Sequence, residues 1–126
     1  MHAFLLVGAG GALGAMARYG LGLVVGRHWH TAFPLATITA NIVGSLAMGV
    51  LVGLLARYTP EWQPQARLFI AVGLLGGFTT FSAFSLDSIT LLERGQLGLA
   101  ISYILGSVIM SIFALYGGLL LTRAVA

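Results

Sequence analysis

Four apolar stretches, at about residues 3–26, 34–57, 66–92 and 97–122, dominate this chain of 126 residues. Each is near the roughly 20 residues a helix needs to cross a bilayer. Hydrocarbon offers no partners to backbone N–H and C=O groups, so spans of this kind are expected as helices. Short connections join them at 27–33, 58–65 and 93–96. Trp29, Phe33, Tyr58 and Trp62 fall at the span ends, where amphipathic rings settle at headgroup level. Only 7% of the residues are charged and the mean hydropathy is +1.01. A soluble domain carries roughly 25% charged residues, so this chain cannot cover a globular surface. The fold expected is an all-α membrane domain over residues 1–126, with four transmembrane helices. Ala15-Met16-Ala17 matches a small-x-small cleavage pattern, but Met1-His2 lacks the basic start of a signal peptide. The apolar run resumes after Arg18, so the first stretch is expected to be a retained helix.

One run stands apart from the rest. Residues 73–85 hold three glycines, four hydroxyls and three phenylalanines inside the third stretch. Glycine in a helix interior costs about 1 kcal/mol relative to alanine. Hydroxyls at membrane depth need partners. The third stretch is also longer than a straight span requires, and an interruption in this run resolves both facts. Broken helices at membrane depth line cavities or pathways.

The other helices carry polar or small stripes. Gly10, Gly14, Arg18, Gly22 and Gly26 recur at four-residue steps, one face of the first helix. Small faces let backbones approach closely in lipid, which explains the glycines by packing alone. Arg18 either snorkels from the end of the span or serves a structural or vestibule role, because a charge within a span must face water or protein. Asn41, Ser45, Gly49 and Gly53 repeat the spacing in the second helix. The Asn41 carboxamide is either an interhelical hydrogen bond or part of a polar path. Tyr103, Ser107 and Ser111 form a hydroxyl ladder on the fourth helix, beside Ser102 and Gly106. That ladder is either packing, with hydroxyls bonded back to the preceding turn, or a polar track. Asp87 and Glu93 belong nearer the interface than the bilayer centre.

Several functions are excluded. There are no cysteines, hence no disulfide scaffold and no thiolate chemistry. The net charge of +3 comes from arginines that form no basic patch, so nucleic-acid binding has no basis. His2, His28 and His30 lie at the terminus or in a connection, without a spacing that completes a metal site. Residues 8–14 imitate a dinucleotide fingerprint, but no strand precedes them. No catalytic constellation appears, and the chain is not expected to be an enzyme. What remains is a pathway lined by an amide, hydroxyls and rings. An anion suits such a lining, because N–H and O–H donors and positive ring edges all face it favourably. Phe81 and Phe84, three apart, are placed to present those edges. Four spans put both termini on one side. Arg57, Arg67 and Arg123 there oppose Arg27 and Arg94, three against two. So slight an excess sets a weak orientation and permits an antiparallel dimer. Two rival classes are a small multidrug-type exporter, which needs a mid-membrane carboxylate absent here, and a non-transporting assembly factor.

Three motifs then resemble the Fluc (CrcB) fluoride channels: Gly10-Gly11-Ala12-Leu13-Gly14-Ala15-Met16-Ala17-Arg18-Tyr19, Thr39-Ala40-Asn41-Ile42-Val43-Gly44-Ser45 and Gly76-Gly77-Phe78-Thr79-Thr80-Phe81-Ser82-Ala83-Phe84-Ser85. They occur in the family's order and the resemblance covers the whole chain. It implies an antiparallel, dual-topology homodimer in the bacterial inner membrane, with two fluoride pores and a role in exporting toxic fluoride. It implies that Asn41, Phe81, Ser82, Phe84, Tyr103, Ser107 and Ser111 line the pore and that Arg18 lies near its vestibule. The backbone carbonyls of Gly76 and Thr79 would hold a central structural Na⁺. Two positions depart from the pattern. Ala83 stands where threonine is common, and Asp87 replaces the more usual glutamate.

Overall fold

The computed structural model describes residues 2–58 and 61–125. Met1, Ala126 and two residues of the second connection, Thr59 and Pro60, lie outside them. Four long apolar helical spans are present, and among the described residues there is no strand. The chain is an integral membrane protein. The first span is α1 (His2–His28), the second α2 (Leu35–Tyr58) and the last α6 (Leu97–Val125). Each runs one to three residues past at least one end read from the sequence, because polar terminal residues such as His28 and Tyr58 continue the helix into the interface.

The third span, Gln63–Glu93, is assembled from pieces. It opens with α3 (Gln63–Ala66), three residues before the expected start. Pro64 sits in that first turn, where its missing N–H removes nothing and its fixed φ suits the helix. A wider π-helical stretch follows over Arg67–Leu75, then a single turn, α4 (Gly76–Phe78), and finally α5 (Ser82–Glu93). Residues 79–81 between α4 and α5 are not helical. Gly95 ends α5 at φ +76°, a left-handed position that glycine adopts without steric cost. Its N–H reaches the Leu92 carbonyl at 3.0 Å and that of Gln96 the Leu91 carbonyl at 3.0 Å, so a paired C-terminal cap turns the chain into α6.

Glycine stripes set how these elements meet. A Cβ on Gly73 would stand 2.9 Å from the Val7 carbonyl oxygen, and one on Gly77 2.6 Å from that of Gly11. From the α1 side, a Cβ on Gly10 would strike the carbonyl of Phe69, and one on Gly14 that of Leu74. Two small-residue stripes therefore interlock backbone to backbone. Gly22 and Gly26 meet nothing, so only half of the α1 stripe is used within the chain. Across the molecule, Gly49 lies against the Leu115 carbonyl, Gly53 against the Thr122 side chain, and Gly118 against Leu46, joining α2 to α6. Ile38, Phe84, Leu91, Ala100 and Tyr103 form the buried cluster between α2, α5 and α6.

Gly14→Val should therefore separate α1 from the third span, whereas Gly22→Ala should be silent. Overpacking of this kind costs about 1–3 kcal/mol. Size-exclusion profiles and thermal unfolding in detergent should show loss of monodisperse protein for the first variant only.

Candidate functional site

The site begins where helical hydrogen bonding is diverted. Thr79 is extended, at φ −84° and ψ 156°. Its N–H and its Oγ1 both donate to the Leu75 carbonyl, each at 2.9 Å. The next residue turns to α2. Thr80 N–H donates to Asn41 Oδ1 at 2.8 Å, and Asn41 Nδ2 donates to the Thr80 carbonyl at 3.2 Å. One carboxamide thus satisfies both backbone groups of Thr80. Gly44, one turn along α2, has no Cβ, and the Thr79 methyl occupies that space.

This exchange leaves backbone acceptors uncovered. In an unbroken α-helix the Thr80 N–H would bond the Gly76 carbonyl, but here Asn41 takes it. The Ala83 N–H would likewise serve the Thr79 carbonyl, but it donates to Thr80 Oγ1 at 3.2 Å and so caps α5. Arg18 Nε donates to the Gly77 carbonyl at 3.3 Å, which aims the guanidinium at α4. Two carbonyl oxygens, of Gly76 and Thr79, are thereby released from helical bonding at the interruption. Hard cations take oxygen ligands of this kind. Among the described residues no histidine and carboxylate grouping could hold a metal, so the carbonyls are the donor set on offer.

Beside the interruption lies an open groove of about 450 Å³. Asn41, Ser45, Thr80, Phe81, Ser107 and Ser111 line it together with Gly76, Thr79 and Phe84, and Met48, Val108 and Leu115 add apolar walls. None of the lining residues carries a charge. Phe81 is 77% exposed and Phe84 only 8%, with ring centroids 5.5 Å apart and planes at 44°. Phe81 stands on the open side while Phe84 belongs to the wall. Behind Phe84 the rings continue, to Tyr103 at 5.2 Å and on to Phe33 at 5.6 Å in an edge-to-face pair.

The hydroxyls divide into two groups. Ser88 Oγ and Thr90 Oγ1 each donate to the carbonyl four residues back, at 2.8 Å. Ser107 Oγ and Ser111 Oγ are buried and have no hydrogen-bond partner. A buried polar group left unsatisfied costs about 1–3 kcal/mol, so these two are kept against an expense that packing does not explain.

Seven pore residues were expected from the sequence, and the groove gathers five of them: Asn41, Phe81, Phe84, Ser107 and Ser111. Ser82 and Tyr103 are not on its lining. The Ser82 hydroxyl pairs with that of Thr80 at 3.2 Å. Tyr103 is 0% exposed behind Phe84, and its OH donates to Asp87 Oδ2 at 3.1 Å. Arg18 lines a second cavity of about 370 Å³ with Tyr19, Gly22, Leu23, Ala36 and Thr37. Ser45 and Thr80 were not read as lining residues. Ser45 could have been, because it follows Asn41 by one turn on the same stripe.

Asn41→Ala removes both partners of Thr80, at about 1–3 kcal/mol for each group left buried. Its thermal unfolding in detergent should fall well below the parent's. Asn41→Asp keeps the acceptor for the Thr80 N–H and should fall between the two.

Comparison with known proteins places these features in context. The family model described as CrcB-like protein, Camphor Resistance (CrcB), matches residues 5–119. A protein of Rhodospirillum centenum named "Fluoride-specific ion channel FluC" is 51% identical over 125 residues, covering 98% of this chain and 97% of that one. Proteins of the same name from Paracoccus denitrificans and Rhodopseudomonas palustris are 49% and 50% identical over 122 residues each, covering 97% of this chain and 95% and 98% of theirs.

Proposed function

The chain belongs to the CrcB family, and from that membership we propose that it is a fluoride-selective passive channel exporting cytoplasmic fluoride. The observation that carries this reading is the uncharged groove with two buried, unpartnered serine hydroxyls at membrane depth, in a chain whose relatives are named fluoride-specific ion channels. Fluoride is strongly hydrated, and a narrow path must replace its water with donors while holding it weakly enough to release. Ser107 and Ser111 offer O–H groups. Asn41 retains a second amide hydrogen beyond the one given to Thr80. The exposed Phe81 offers a ring edge, the positive rim of its quadrupole. Tyr103 acts in this reading through its ring, which backs Phe84, and through its bond to Asp87 midway along α5.

No coupling residue is needed. Fluoride that enters as the weak acid HF dissociates in the cytoplasm, and the membrane potential drives the anion outward. A proton-coupled exporter would need a carboxylate in the groove, where none stands.

The pore belongs to an antiparallel, dual-topology homodimer in the inner membrane, with two such pathways. The open side of the groove leaves surface for a second copy. In such a dimer the freed carbonyls of Gly76 and Thr79 would lie at the dimer axis and would hold a structural Na⁺. That ion would supply the positive charge that ties the two interruptions together. Arg18 lies near the vestibule and favours anion entry.

Expression in a fluoride-sensitive bacterial strain tests the reading and separates it from its rivals, since neither a drug exporter nor an assembly factor restores growth on fluoride. The parent should restore growth. Phe81→Ile and Phe84→Ile, checked for membrane insertion and assembly, should each lower the tolerated fluoride concentration sharply. Full rescue by both variants would remove the rings from the pathway.

A further inference from the structure

We propose that Ser45 is a further anion-binding residue of the groove, the third hydroxyl of an anion station that it forms with Ser107 and Ser111. The inference rests on the channel reading and adds a second polar side chain of α2, one turn beyond Asn41, to those the reading uses. Ser45 lines the groove one turn beyond Asn41, together with the two α6 serines. Within spans, serine and threonine usually satisfy themselves on the preceding turn, as Thr79, Ser88 and Thr90 do here. Ser45 makes no such bond among the described residues, and Ser107, only 4% exposed, has no partner at all. Three serines whose hydroxyls make no hydrogen bond therefore line one uncharged groove from two helices.

The stripe explains why the station sits where it does. After Ser45 it continues as Gly49 and Gly53, which lie against the Leu115 carbonyl and the Thr122 side chain. There α2 and α6 are in close contact, through the backbone at Gly49 and through the Thr122 side chain at Gly53. Ser45 is the last polar position before that seal, so it caps the end of the hydroxyl-lined section. Each hydroxyl has one proton to donate, and three donors suit a small anion better than one or two. With no charge in the lining, the contribution of each donor is large relative to the whole.

Fluoride efflux from proteoliposomes, followed with a fluoride electrode, tests this on four proteins: the parent, Ser45→Ala, Ser45→Cys and Ser45→Thr. Losing one hydrogen bond to a charged partner should slow efflux about tenfold in Ser45→Ala. Ser45→Cys keeps the volume with only a weak donor and should lose nearly as much. Ser45→Thr keeps the hydroxyl and should stay within about twofold of the parent. Each variant is first matched to the parent by size-exclusion chromatography. If Ser45→Ala misassembles, the Cys and Thr pair gives the same comparison. A conducting parent with equally conducting Ala and Cys variants would overturn the role of Ser45 and leave the channel reading standing. A parent without fluoride efflux would overturn the channel reading itself.

Discussion

The exchange of hydrogen bonds between Asn41 and Thr80 governs the geometry around it. A carboxamide carries an acceptor oxygen and a donor nitrogen side by side, so it can replace both a helical donor and a helical acceptor at a single residue. By taking the Thr80 N–H it releases the Gly76 carbonyl, and by donating to the Thr80 carbonyl it keeps that group from being stranded in hydrocarbon. The chain then restarts as α5 with Thr80 Oγ1 as its cap. Phe81, the last residue of the interruption, is left out in the groove, while Phe84, one turn later, is drawn into the core. Backbone redirection at one residue thus places the freed carbonyls and the exposed ring together.

Glycine holds this arrangement in place. In lipid, apolar side chains gain little by meeting one another, so close backbone contact has to bring the helices together. Gly10 and Gly14 mesh with Gly73 and Gly77 just before the interruption, and Arg18 reaches the Gly77 carbonyl from the same α1 face. On the other side Gly49, Gly53 and Gly118 close α2 on α6. Between these two contacts the helices stand apart, and the groove occupies the gap. The same four-residue stripe in α2 therefore begins as lining, at Asn41 and Ser45, and ends as seal.

Span number and approximate position were legible because a bilayer imposes length and apolarity on any crossing helix. The end of the third span was legible in the short connection 93–96, which holds the capping Gly95. Other features were not. The early start at Gln63 depended on treating Pro64 as a helix opener, although in isolation it reads as part of a loop. The π-helical stretch Arg67–Leu75 has no pattern of its own, and glycine packing against α1 accompanies it. The sequence left Asn41 open between a bond and a polar path. Its partner lies 39 residues away and is a backbone group, which no side-chain pattern marks. Tyr103 shares its helix face with Ser107 and Ser111, yet its longer side chain carries the hydroxyl past the groove to Asp87. Ser45 was hidden for the opposite reason, since a serine in a small-residue stripe looks like packing until its neighbours are known.

A groove without charge, lined by hydroxyls, an amide and ring edges, fits passive movement of a small, strongly hydrated anion. Its value depends on the donors being unspent, and Ser107 and Ser111 meet that condition. The most direct measurement is fluoride release from proteoliposomes loaded with potassium fluoride and diluted into low-potassium medium. A passive fluoride channel predicts rapid release once valinomycin lets potassium carry the balancing charge, and little release of chloride from matched vesicles. Assembled protein that gives no valinomycin-dependent fluoride release, or releases chloride as readily, would contradict it.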